Sequence, residues 1–576
     1  MKTAQMRKLL DVASGRIPAD VVIENARIVH VCSGEIEHAS IAVCDGIIAG
    51  IGRYAGHRVH DARGMYACPG LIDAHVHIES SLVSPEQFAS AVIPRGTTAV
   101  IADPHEIANV CGTDGLNYMI EASKRTPLSI FFMLPSCVPA VFFEHAGASL
   151  TAADLEPFMH EPHVLGLGEL MDVHRLIAGD ADVVKKVMLA RRASKVLDGH
   201  APMLSGRELC AYAASGVKTD HECTTVQEMH ERISRGMYVM LREGSAARDL
   251  DVLLAGVTSS NADRCLFCTD DRQVDDILRD GHIDVHLRKA VIRGIPAVTA
   301  LRMASLNPAA CYGLSDHGMI APGCRADFFL TEDLTEFRAR EVYISGVLTA
   351  ADGEPLCTVP VGNYQGVSET VHVKKITPEN FTLKLTSRKA HVISITPGSL
   401  VTGKSIRDVA GDEFSNYVHE SGSGIMKLAV LERHGNSGDI GIALVEHYGS
   451  GHGAIALSIA HDSHNIIAAG TNDHDMALAV NRIMKAGGGI AVAADGTIEG
   501  FLPLPIAGLM ANLSAQETAS RLAHLRRAAG SRLQVTSGID PIMTLSFLAL
   551  PVIPELKLTD QGLYDVTAGK FIDVSV

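Results

Sequence analysis

The stretch Pro69-Gly70-Leu71-Ile72-Asp73-Ala74-His75-Val76-His77 runs from a Pro-Gly break through a short apolar segment into two histidines. On a β-strand, residues i and i+2 lie on one side, so His75 and His77 present two imidazoles to the same space. Paired imidazoles at a strand end make half of a metal site. The rest of the chain offers the other half. Glu169, His200, His221 and Asp270 follow in order, each close behind its own short apolar run.

Outward from that stretch, short apolar runs alternate with longer helix-like segments from residue 65 to 320. The runs cover 67–73, 98–102, 128–134, 164–168, 196–198, 216–219, 238–241 and 266–269. Eight strand-like runs with interleaved helices over roughly 250 residues predict a (β/α)8 TIM-like barrel. Polar residues gather at the C-terminal ends of nearly all the runs, which favours the barrel over a doubly wound sheet. Residues 20–64 read as β-hairpins, with Asp45-Gly46 as a tight-turn signal and Glu24-Asn25 and Ser33-Gly34 as further breaks. Residues 321–375 return to strand-and-turn texture and are expected to complete one small β-sandwich with 1–64. Residues 376–576 are expected to form a C-terminal α+β domain. Its Gly487-Gly488-Gly489 reads as a turn, because no Gly-Lys-Ser/Thr follows.

Composition narrows the function classes. A chain of 576 residues exceeds one core, so two or three domains are expected. Fifty basic against 66 acidic residues give a net charge of −16, which excludes a nucleic-acid backbone as partner. No apolar run reaches transmembrane length and the first residues carry no signal-like core, so no membrane partner and a cytoplasmic location are expected. Twelve scattered cysteines fit a reducing compartment. Cys265-Leu266-Phe267-Cys268 lies inside an apolar run and reads as buried strand cysteines.

Several motifs together resemble a known family. The segment ending in His75-Val76-His77, Asn307-Pro308-Ala309 and the run from Ala321 to Asp327 resemble the amidohydrolase superfamily of metal-dependent hydrolases. More closely, the chain is similar to the bacterial-type adenine deaminase family. The similarity lies in His77–Ser81, Asp103–Val110, Gly166–Asp172, Asp198–Pro202, Arg242–Arg248, Cys268–Arg272, His461–Asn465 and Leu502–Met510.

That resemblance implies a binuclear site holding two divalent ions, Mn2+ or Fe2+ with Zn2+ also open. His75 and His77 would bind the inner ion, Glu169 would bridge, and His200 and His221 would hold the outer ion. Asp270 would complete the inner shell and shuttle a proton. Many relatives bridge with a carboxylated lysine, whereas here the fourth run ends in Glu169. The implied reaction is hydrolytic deamination of adenine to hypoxanthine and ammonia by a metal-bound hydroxide, a step of purine salvage. A second acid must protonate the ring, with Glu106 favoured over Glu222 and Glu243. Glu222, Glu243 and the polar segment with Asp462, Ser463 and His464 are candidate contacts to a small-molecule purine base. A homo-oligomer, dimer or tetramer, is expected. The rival reading is a cyclic amidohydrolase of hydantoinase or dihydropyrimidinase type working with the same metals.

Overall fold

The computed structural model describes residues 2–412 and 416–576. Eight parallel strands carry the first half of the chain: Leu71–Val76, Thr97–Ala102, Ser129–Leu134, Val164–Leu170, Val196–Gly199, Thr219–Asp220, Tyr238–Arg242 and Cys265–Cys268. The first five pair in chain order as one parallel sheet and the last three as another. Two seams bring the sheets together. At one, a parallel bridge joins Val76 to Asp270, and Asp270 N donates to His75 O at 3.0 Å. At the other, Lys218 N donates to Leu197 O at 2.9 Å.

Alternation explains why these strands read as continuous apolar runs. Ile72, Ala99, Ile101, Met133, Met240 and Leu266 meet in one buried cluster. Val100, Ile130 and Phe132 join helix residues such as Phe88 and Met119 in another. Both faces are therefore covered, as a parallel sheet requires.

The run read as 67–73 belongs to two sheets. Tyr66–Pro69 pairs antiparallel with Phe328–Thr331, and only Leu71–Val76 enters the parallel sheet. Gly70 makes the switch, and a Cβ there would lie 2.1 Å from Thr98 Oγ1. Through Phe328–Thr331, the strands before and after the parallel segment share one nine-stranded sheet. Asp45 (φ 49°) and Gly46 (φ 80°) form the expected tight turn within it. Glu24-Asn25 is no turn. It lies inside the strand Ala19–Val29, where the register slips between Ile23 and Ala26 and Asn25 takes φ 59°. The pair is thus a bulge.

The last third of the chain is built on an eight-stranded, mostly antiparallel sheet against which helix Asp473–Met484 packs. Gly487 and Gly488, at φ 73° and 128°, turn the chain from that helix into strand Gly489–Ala494. Strands Ala454–Ala460 and Asn465–Gly470 are joined by His461–His464, and all four of these side chains are buried. The module is latched to the parallel strands by Arg526, on helix Ala515–Arg532. Its guanidinium bonds Asp275 and Gln273, just beyond the eighth strand, and its Nε donates to Asp540 Oδ2 at 2.6 Å. Asp540 caps helix Pro541–Phe547, and the Phe547 ring stacks on His461 at 4.3 Å and 7°.

Beneath Phe547 lies Lys557, whose Nζ donates to Phe547 O and Leu400 O at 3.0 Å each. Burial brings its pKa from 10.5 down to about 7. Between those values the unfolded chain binds the extra proton, so stability rises with pH at up to ~1.4 kcal/mol per unit. Lys557→Met removes that slope, and denaturant midpoints at pH 7 and pH 9 check it. Parallel pH dependence in the two proteins contradicts the assignment.

Candidate active site

The C-terminal ends of the parallel strands bring distant residues together. His75 and Glu169 lie on the first and fourth strands, and His77, His200 and His221 stand one residue past the first, fifth and sixth. Asp270 stands two residues past the eighth. Glu169 is central. Its Oε1 lies 2.7 Å from His75 Nε2, 2.8 Å from His77 Nε2 and 3.7 Å from His221 Nε2, and its Oε2 lies 3.1 Å from His200 Nδ1. Asp270 Oδ1 is 3.1 Å from His77 Nε2 and 3.8 Å from His75 Nε2. The two Nε2 atoms of the histidine couplet are 3.2 Å apart, so the i, i+2 spacing does set both rings on one side.

A second layer of contacts holds this arrangement. His77 Nδ1 donates to Asp103 O at 2.9 Å, which fixes the ring and aims Nε2 at the cluster. Asp103 Oδ2 accepts Glu169 N at 2.9 Å, and a Cβ on the neighbouring Gly168 would stand 2.0 Å from that oxygen. Tyr212 OH accepts His200 N at 2.9 Å and donates to Leu170 O at 2.7 Å. Thr269 N donates to Asp73 Oδ1 at 3.1 Å, tying the residue before Asp270 to the first strand. Arg242 Nη1 donates to Asp270 Oδ2 at 2.8 Å, leaving Oδ1 toward the imidazoles.

The charge pattern separates two kinds of carboxyl. Burial pushes Glu169 and Asp270 upward, yet His221 and His77 around Glu169, and His77 and Arg242 around Asp270, hold both well below the usual carboxylate range. Glu106 goes the other way. Burial, then the Asp271 and Glu79 carboxyls, raises it well above the ordinary value. Burial, with His105 and His77, brings His461 down to about 3, so it is a neutral imidazole.

The cluster fits a divalent cation. Glu169 Oε1 and His200 Nδ1 are buried without a hydrogen-bond partner, although other ligand-type atoms surround them. His75, Glu169, His221 and Asp270 each offer one ligand atom, and all four atoms lie within 4.8 Å of one another.

The remaining candidates divide. Glu106 Oε1 accepts Ser80 Oγ at 2.7 Å and lies 3.4 Å from His461 Nδ1, so the polar turn of the C-terminal module reaches the parallel strands within one chain. His464 joins Glu106 and His461 in a compact buried group. Asp462 is 4% exposed and feels the charges of His105, Glu169 and His200, and Ser463 O accepts His434 Nε2 at 2.7 Å. Glu222 turns toward His200 and His221. Glu243 turns instead to Lys289, whose Nζ donates to it at 2.8 Å. Asp103, His105, Arg242 and His461 carry contacts that the sequence reading left without individual roles. All four sit inside motifs already singled out, namely 103–110, 242–248 and 461–465.

Comparison with known proteins defines the class first. Residues 66–349 match the amidohydrolase family model, and residues 399–570 match that of the adenine deaminase C-terminal domain. An adenine deaminase of Nitratidesulfovibrio vulgaris (strain DP4) is 52% identical over 571 residues, covering 99% of both chains. One of Clostridium acetobutylicum is 47% identical over 566 residues, covering 98% of this chain and 99% of its own. Among solved structures, an enamidase aligns with TM-score 0.45 at 20% identity, covering 58% of this chain and 97% of that one. The chain belongs to the adenine deaminase family.

Proposed function

We propose that this protein hydrolyses adenine to hypoxanthine and ammonia in a centre formed by His75, His77, Glu169, His200, His221 and Asp270. The convergence of four imidazoles on Glu169 carries the reading, supported by similarity to adenine deaminases along the whole chain. Two divalent cations would be held here, one by His75, His77, Glu169 and Asp270 and one by Glu169, His200 and His221. Mixed imidazole and carboxylate donors suit Mn2+ or Fe2+, with Zn2+ as the third candidate. When bound, such ions supply a water-derived nucleophile at neutral pH by lowering the pKa of water to about 7.

The chain's own groups do the rest. Asp270 Oδ1, left free by the Arg242 contact at Oδ2, accepts the proton of the attacking water and returns it to the departing amine. Glu106, whose pKa burial and the neighbouring carboxyls raise, protonates N1 of the ring, and the second water proton, released as the C6 oxygen becomes a carbonyl, restores it. Asp462, Ser463 and His464 close over the base and exclude bulk water. In this reading the eight strands close as a (β/α)8 barrel (65–320), the nine-stranded sheet folds as a β-sandwich from 1–64 and 321–375, and 376–576 is the C-terminal domain. The protein is placed in the cytoplasm, in purine salvage, as a dimer or tetramer that sedimentation would reveal.

The test is ammonia release from adenine, adenosine, guanine and cytosine beside ring opening of hydantoin and dihydrouracil. Ammonia from adenine alone is expected. Ring opening without adenine turnover would transfer the assignment to a cyclic amidohydrolase.

A further inference from the structure

Glu222 follows His221 directly, and neighbours on a strand normally face opposite ways. Here the sixth strand has already ended at Asp220. Asp220 Oδ1 accepts Glu222 N at 3.0 Å and Ala201 N at 3.2 Å, while buried Arg232 holds Oδ2 at 2.8 Å. This anchor turns His221 and Glu222 to the same place and fixes the backbone beside His200.

In that place Glu222 Oε1 lies 3.4 Å from His221 Nε2 and 3.8 Å from His200 Nδ1. His200 Nδ1 is buried and has no hydrogen-bond partner. These separations are long for hydrogen bonds. They suit ligands sharing one ion: at bond lengths of about 2.1 Å, tetrahedral neighbours stand roughly 3.4 Å apart. Glu169 completes the set, with Oε2 3.1 Å from His200 Nδ1 and Oε1 3.7 Å from His221 Nε2. The other half of the centre already has four protein atoms, from His75, His77, Glu169 and Asp270. Without Glu222 the outer half has three.

The carboxylate is also held ready. Arg242 binds both Glu222 oxygens, with Nη2 donating to Oε2 at 3.3 Å, and the same guanidinium donates to Asp270 Oδ2 at 2.8 Å. One side chain thus ties the outer carboxylate to the inner one.

We propose that Glu222 is a ligand of the outer divalent cation, completing a four-atom protein shell with Glu169, His200 and His221, and that Arg242 positions it there. The proposal rests on the two-cation reading of the centre.

The test titrates metal-free full-length protein with Mn2+, reading free Mn2+ by electron paramagnetic resonance, for the wild type and Glu222→Gln. Wild type is expected to take two ions per chain. Glu222→Gln is expected to keep the first at unchanged affinity and to bind the second at least about tenfold more weakly. Two ions at equal affinity in both proteins, with only KM for adenine raised, would make Glu222 a substrate contact and overturn the assignment alone. Fewer than two ions in the wild type removes the two-cation reading and this proposal with it. Should the variant not fold, crystals of the Mn2+-loaded wild type decide: a Glu222 oxygen within about 2.3 Å of the outer ion is expected, and one beyond about 3 Å overturns it.

Discussion

Glu169→Gln is expected to lose most of its metal and nearly all of its turnover. The side chain keeps its shape, but the charge that His75, His77, His200 and His221 surround is gone. Removing one partner from a buried charged group costs about 3–5 kcal/mol, because the others stay buried without compensation. Mutating groups that merely orient ligands weakens metal binding by about 10–100-fold, so a shared ligand should cost at least the upper end of that range. Elemental analysis should find well under two ions per chain, and kcat/KM for adenine should fall by on the order of 10³. Full metal content in this variant would remove Glu169 from the bridge.

Asp270→Asn probes the proton transfer itself. Asparagine fills the same space, but one of the four atoms assigned to the inner ion loses its charge, so the variant is assayed at saturating Mn2+ with its metal content measured. What it lacks is a basic oxygen facing the imidazoles. General acid–base groups contribute roughly 10²–10⁴-fold, and kcat is expected to fall within that range with KM little changed. A variant that retains its metals and turns over within about tenfold of the wild type would take the shuttle role from Asp270.

The sequence exposed those parts of the fold that local rules govern. Asp45-Gly46 makes its turn because both residues tolerate positive φ, and His75 and His77 share a side because strands have a period of two. Asn25 misled because a positive φ suits a bulge as well as a hairpin. Gly70 hid a change of sheet inside one apolar run, since hydrophobicity does not say which partner strand lies alongside. Glu222 and Glu243 looked alike as acids behind strands, and only packing sends one to the imidazoles and the other to Lys289. The segment His461–His464 read as a polar loop. Its burial depends on contacts with residues such as Glu106 and Phe547, far away in sequence.

The Phe547–His461–Glu106 stack also bears on when activity can begin. The ribosome makes the metal-binding strands long before it makes the turn that covers them. Until Phe547 has emerged and the Arg526 latch has closed, Glu106 lacks the His461 ring that stands 3.4 Å from it in the finished chain. A partly synthesised chain, or one clipped between the modules before docking, is therefore expected to turn over adenine more slowly than the finished chain.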